Sequence, residues 1–373
     1  MNPKNISALN LRILPVLLGA LLVFGAAQTQ EMDHEEMGHQ GMDHEGMDHE
    51  GMDHEGMDHE GMDHSGHHDM TQEEYDLLRA KVITYRNYSN EQIMDNMMQM
   101  PPTHERYISD PELAGDLGII VLTHGAFEPG DTLFANSLTG LARQHPVAIG
   151  YGMAMMNGDH IQSAIEQLEA AGAQKIVVVP AALSPNGTVY EQWAYYLGER
   201  DEAAYLPAPR VSSNVPLSFA APLAEHSMAS SMLLDHAKEI SQNPENEFVL
   251  IVGHGPSEPA ANEIELKVMQ KHVESLKAGG GFADVKGYNF QDDSPPEVRA
   301  ANVATMRGWI EEASAAGLDV IMVGYLLSTR GIQHKIPVDF EGLEFTFNEK
   351  GLSAHPDFAK WVETNALETA GQS

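Results

Sequence analysis

The pattern of apolar and polar positions divides the chain into four stretches. Ile13 to Ala26 is an uninterrupted apolar run of about 14 residues. From Glu31 to Met70 methionine is the only apolar residue, and the period is five, matching neither the 3.6 of a helix nor the 2 of a strand. Residues 71–100 return to a helical pattern. Thr71 with Glu74 three residues later reads as a capping box, and Leu77, Leu78, Val82, Ile83 and Tyr85 supply an apolar face. Pro101-Pro102 stops it. Beyond them, short apolar runs rich in β-branched residues alternate with longer mixed stretches.

Those runs come in two matching sets. Gly118–Thr123 (GIIVLT) and Phe248–Gly253 (FVLIVG) read as buried parallel strands. Val147–Gly152 and Val285–Phe290 follow as second strands, then helices over about 159–171 and 296–316, then third strands at Lys175–Val179 and Val320–Val323. Both helices close on Ala-Ala-Gly, at Ala170-Ala171-Gly172 and Ala315-Ala316-Gly317, where glycine is the expected stop. Strand, helix and strand at this spacing predict right-handed crossovers and a parallel sheet. The predicted fold is α/β: two tandem, similar domains, each a parallel sheet flanked by helices, facing each other across a cleft. The expected boundaries are a leader at 1–27, a repeat at 28–70, a helical connector at 71–112, a first half at 113–197, a connection at 198–246 and a second half at 247–373.

Composition narrows the chemistry. The chain has 373 residues and no cysteine, which excludes disulfides, iron–sulfur clusters, thiolate zinc sites and a cysteine nucleophile. Its formal charge is −34, so it is a poor partner for nucleic acid and a good one for cations. Lys4 and Arg12, the apolar run and the small residues Gly25-Ala26-Ala27 read as a cleaved signal peptide. The run is shorter than the roughly 20 residues needed to span a bilayer. The mature protein is therefore expected to be periplasmic or secreted, with no membrane segment.

The repeat offers metal ligands. Gly-Met-Asp-His-Glu occurs at 41–45, 46–50, 51–55 and 56–60, and a fifth copy ends in Ser65. His34, His39, His44, His49, His54, His59 and His64 recur every five residues, and His67 and His68 close the tract. Such a segment cannot offset the entropy of ordering its backbone and is expected to be disordered. Imidazole suits Cu(II), Ni(II), Co(II) and Zn(II), whereas the methionine thioether suits Cu(I) or Ag(I). All nine histidines are expected to bind metal, and the composition leaves the metal open. Met94, Met97, Met98 and Met100 in the connector read as packing residues.

Each first strand ends in a histidine loop: His124-Gly125-Ala126-Phe127-Glu128-Pro129 and His254-Gly255-Pro256-Ser257-Glu258-Pro259. In open parallel sheets ligands sit at the C-terminal ends of the strands, where both histidines lie. These loops, Gly150-Tyr151-Gly152-Met153, the AAGAQKIVVVP stretch at 170–180 and the late His355-Pro356 together resemble the class II tetrapyrrole chelatases. More narrowly, residues from roughly 113 to 373 resemble the two-domain, CbiX-type sirohydrochlorin cobaltochelatases.

The resemblance implies a lyase-type activity. It would insert Co²⁺, or Ni²⁺ or Fe²⁺, into a tetrapyrrole in the cleft, with no cofactor beyond the substrate metal ion (Cu²⁺ being a further candidate). It implies His254 and His334 as metal ligands and catalytic residues, with a histidine serving as general base for the departing pyrrole protons. It also implies Arg330 and Tyr288 as contacts to the tetrapyrrole and its carboxylates. His124 would be a remnant, because Pro180–Tyr190 contains no histidine to partner it. Lys286 stands where the resemblance implies a glutamate ahead of Gly287-Tyr288. Two functions remain open: an exported chelatase with a metal-collecting tail, and a non-catalytic periplasmic buffer or chaperone for copper, nickel or cobalt. Oligomeric state is open as well.

Overall fold

The computed structural model describes residues 70–372. The leader and the repeat, with all nine tail histidines, lie outside them. Among the described residues no helix is long and apolar enough to cross a membrane.

The connector holds two helices rather than one. Gln72–Lys81 begins at the Thr71 cap with the predicted Glu74 box in place, and Asn90–Met98 begins at a second box, Ser89 with Gln92. A 3₁₀ turn at Ile83–Tyr85 separates them. The edge strand β1 (His104–Tyr107) follows. Its sequence, His-Glu-Arg-Tyr, carries no apolar alternation and gives no strand signal.

The first sheet adds β2 (Leu117–Thr123), β3 (Val147–Tyr151), β4 (Lys175–Pro180) and β5 (Leu217–Phe219), in spatial order β1-β3-β2-β4-β5. β1 runs antiparallel to β3, and the rest is parallel. The second sheet comprises β6 (Glu247–Gly253), β7 (Asp284–Asn289), β8 (Asp319–Tyr325) and β9 (Thr346–Asn348), in order β7-β6-β8-β9, all parallel. Apart from β1, the two orders are the same: second, first, third, fourth. The two Ala-Ala-Gly stops are also equivalent. Gly172 and Gly317 take φ of +92° and +81°, and the residue after each donates its N–H back to Leu168 and Ala313.

β2 and β6 are buried at all seven positions, because helices cover both faces of each sheet. One face of β2 packs with Ile161, Leu168 and Trp193, and one face of β6 with Met306, Ile310 and Phe340. The remaining faces share a single core that joins Val121 and Val179 of one sheet to Ile251 and Val323 of the other. Two helices cross over. Ser227–Ile240, from the expected connection, packs on β8 and on helix Pro259–Gly280. The last helix, Asp357–Gln372, packs on β4 of the first sheet. The halves are therefore interlocked, and residues 357–372 serve the first sheet although they follow the second.

Met70 is only 8% exposed and packs with Tyr75, Leu78 and Tyr85. A chain beginning at Ser65, upstream of that contact, is expected to keep the full-length melting temperature without metal. A fall of more than about 4–8 °C, roughly 1 kcal/mol for a small domain, would contradict this.

Two buried histidines make the core acid-sensitive. His160 packs under β3 with neither ring nitrogen hydrogen-bonded among the described residues, and burial pushes its pKa down to about 4. Burial, and then the neighbouring His355, does the same to His236, also to about 4. The unfolded chain takes up these protons near pH 6.5 and the folded chain only near 4. Stability is therefore intact above about 6.5 and falls between 6.5 and 4, by up to about 1.4 kcal/mol per pH unit for each histidine. Urea midpoints across that window should fall less steeply for His160→Leu than for the parent, and equal slopes would contradict the assignment.

Candidate metal centre

The His-Gly pairs at the strand ends owe their shape to the glycine. Gly125 and Gly255 take φ of +82° and +73°, which side-chain-bearing residues rarely adopt. A Cβ on Gly255 would also lie 2.6 Å from the Asn289 side chain. The turn brings each glycine carbonyl to the preceding imidazole, at 3.1 Å from His124 Nδ1 and 3.0 Å from His254 Nδ1. With Nδ1–H donating to that oxygen, Nε2 keeps its lone pair and faces outward.

His254 faces carboxylates. Its Nε2 lies 3.5 Å from Asp293 Oδ2, and His254, Asp292 and Asp293 each offer a ligand atom within 4.8 Å of the others. Among the described residues they are the only such group of three. Both aspartates lie just past the end of β7. Gln291 ahead of them is a non-glycine residue at φ +51°, held by its own bond to the Pro256 carbonyl and by Asn302. Such strained backbone is costly and clusters at functional sites.

The two aspartates differ in freedom. Asp292 Oδ1 accepts from Arg299 at 2.7 Å, and Oδ2 accepts from Lys335 at 2.6 Å. Burial alone would push the Asp292 carboxyl up, but the bonds from Lys335 and Arg299 outweigh it and hold it below its ordinary value. Asp293 is exposed over 70% of its side chain, which leaves its carboxylate open to a cation. Beneath them, Asn289 donates to Asn262 at 2.8 Å and to the buried Glu265 at 3.1 Å, and burial pushes the Glu265 carboxyl up. The centre thus combines one neutral nitrogen donor, one free carboxylate and one neutralised carboxylate, and it leaves coordination positions open.

The first half lacks this arrangement. His124 is exposed, and no group of three ligands forms around it among the described residues. Asp131 accepts from the Ala126 N–H at 2.7 Å and lies 3.8 Å from His104 Nε2, while Glu128 pairs with Arg106 at 3.1 Å.

No protein-family model matches the chain, and no curated protein matches it. Solved structures do. SirB from Bacillus subtilis with Fe³⁺ is similar at a TM-score of 0.52 and 18% identity, covering 69% of this chain and 97% of that one. The fold is that of the sirohydrochlorin chelatases. SirB from Bacillus subtilis subspecies spizizenii in complex with cobalt aligns over the same shares at a TM-score of 0.48 and 16% identity. CbiX, the terminal enzyme of siroheme biosynthesis in denitrifying bacteria, aligns at 0.42 and 11%, over 69% of this chain and 99% of that one.

Within the chelatase fold, the residues expected from sequence fall in different places. His334 lies in the loop after β8, exposed, with Nδ1 2.6 Å from the Gly331 carbonyl. It is outside the group of three, although the next residue, Lys335, reaches Asp292. Arg330 packs over Gly130 of the first half, where a Cβ would lie 3.6 Å from its own, so it sits at the seam between halves. Tyr288 is the last-but-one residue of β7, and its ring packs edge-on against Trp309 at 5.4 Å. Lys286 is mid-strand on β7, with its ammonium 4.9 Å from the Trp309 ring and 3.8 Å from Glu312. It therefore places no charge beside His254. The candidate ligands on this side are Asp292 and Asp293, just past the end of β7, which the sequence reading passed over. Their signal was available, since they follow β7 as His254 follows β6.

A pocket of about 470 Å³ adjoins this region. It is lined by Asn186 from the loop after β4, Thr188 at the start of the next helix, Pro256 and Glu258 from the loop after β6, and Lys81 and Arg200. A second pocket, of about 430 Å³, lies near the N-terminal end of β3 among Ile108, Thr139 and Arg143, and none of these ligand groups lines it.

Proposed function

We propose that the protein inserts a divalent metal, Co²⁺ first and Ni²⁺ or Fe²⁺ as alternatives, into a sirohydrochlorin-type tetrapyrrole. The observation that carries this reading is the His254–Asp292–Asp293 cluster at the strand ends of a chelatase fold. His254 Nε2 and Asp293 strip part of the ion's water and hold it, with His334 as a further ligand from the next loop. So few ligands bind loosely enough to hand the ion on. The two pyrrole protons leave one at a time: His254 Nε2 takes one once the ion has moved from it to the pyrrole nitrogens, passes it to water, and is free to take the second. Arg330 at the seam pairs with a substrate carboxylate.

The exported location and the metal-collecting tail belong to the same proposal. Residues 1–27 direct export, and the nine histidines at 34–68 gather metal. A tethered donor raises the local concentration at its acceptor to about the millimolar range. The alternative, a non-catalytic metal buffer or chaperone, draws on that same repeat.

The test follows the absorbance change of sirohydrochlorin with Co²⁺, comparing the full chain with one beginning at Ser65. At limiting metal the full chain should insert faster, and the advantage should vanish in excess metal. It should also fade below pH ~6, as imidazoles protonate near their reference pKa of about 6.5 and lose their lone pair. Faster insertion after truncation would make the tail a competing sink and favour the buffer.

A further inference from the structure

Segments 94–100 and 153–156 hold seven of the chain's 21 methionines. They come from two unrelated places. Met94 and Met97 lie one turn apart on helix Asn90–Met98, with Met100 just beyond it. Met153, Met155 and Met156 form the turn that leaves β3. Apart from the exposed Met98, all of them pack in one cluster with Met70, the last methionine of the repeat region. Met70 and Met155 are buried, and the other five are half-buried, so their thioethers are within reach of solvent.

The duplicated scaffold gives this place a meaning. Tyr151 of β3 is paired beside Thr123, just ahead of His124, as Asn289 of β7 is paired beside Gly253, just ahead of His254. The turn after β3 is therefore the counterpart of the turn after β7. By this register Met153-Ala154-Met155 stands where the other turn carries Gln291-Asp292-Asp293, and Met156 follows. Both lie on the edge of the sheet where ligands bind. Both also contain a non-glycine residue in the left-handed region, Ala154 at φ +55° and Gln291 at φ +51°. The Ala154 carbonyl is held at 3.1 Å by the fully buried Gln192, whose own oxygen accepts from Tyr205 N–H. This fixes the turn against helix Thr188–Tyr196 and the stretch at Tyr205.

We propose that these thioethers form a site for a soft monovalent cation, Cu(I) or Ag(I). Its ligands come from Met94, Met97 and Met100 on the connector side and from Met153 and Met156 on the turn side. Neutral sulfur donors take such ions and discriminate against Co²⁺ and Zn²⁺, which prefer nitrogen and oxygen. Its ligands are different residues from those of the His254 centre, and it does not depend on the chelatase reading.

The test uses the full chain labelled with ¹³C at the methionine methyls. Resonances are assigned by single Met→Leu changes, which nearly conserve volume. Ag(I) serves as a redox-inert probe. The resonances of Met94, Met97, Met153 and Met156 should shift with Ag(I) and stay fixed with Zn²⁺. A variant carrying Met97→Leu, Met153→Leu and Met156→Leu should melt as the parent does and bind one fewer Ag(I) per chain in equilibrium dialysis. Cluster resonances that stay fixed while Ag(I) saturates the tail would overturn the proposal. So would a folded variant with unchanged stoichiometry. If the variant does not fold, the resonances of the parent chain decide the matter.

Discussion

Replacing His254 with alanine should lower metal insertion by about 10²–10⁴-fold, the span expected for loss of a general base. His254 supplies the one neutral nitrogen in the cluster of three, with Nδ1 tied to Gly255 and Nε2 directed toward Asp293. Without it two carboxylates remain, and one of them is held by Arg299 and Lys335. They could retain a cation, but the cluster of three then has no imidazole to take the pyrrole protons. His124→Ala should leave the rate close to the parent's, because no comparable group of ligands forms around His124 among the described residues. Steady-state rates on both variants, with melting curves showing that each is folded, check this. Equal losses would mean that the two histidines share one site across the seam.

The largest stability effect is expected at Trp361. Its side chain is fully buried and packs against Phe358 at 5.6 Å, which in turn meets Phe134 edge-on at 5.6 Å. The helix that carries it closes the core of the first sheet although it follows the second in sequence. Trp361→Ala should therefore cost about 3–5 kcal/mol, the range for deleting a large core aromatic. That corresponds to a fall in melting temperature on the order of 10 °C. Both halves should melt together, because the shared core links them. A loss below about 1 kcal/mol would mean that the helix is an appendage.

What the sequence revealed depends on where each element is buried. β2 and β6 were legible because both of their faces are covered, so they read as unbroken apolar runs. The Ala-Ala-Gly stops were legible because a left-handed glycine is a local requirement. β1, β5 and β9 were not, since His-Glu-Arg-Tyr, Leu-Ser-Phe and Thr-Phe-Asn are too short to show a period. The crossing of the last helix was hidden for another reason: its apolar face states that it packs, not on which sheet.

The site divides in the same way. His254 was visible from its place after a strand. Lys286 and Tyr288 stand two apart on β7, so alternation turns both toward Trp309, a neighbour that no local pattern names. Asp292 and Asp293 follow the rule that found His254, but their approach to it depends on the left-handed Gln291, which no sequence pattern predicts.

The most direct measurement of the account is multiple-turnover conversion of sirohydrochlorin in excess Co²⁺, followed by absorbance against the spontaneous reaction. The account predicts a rate proportional to protein concentration that continues past one equivalent and depends on His254. Conversion no faster than the spontaneous rate, by protein that is folded and binds Co²⁺, would contradict it.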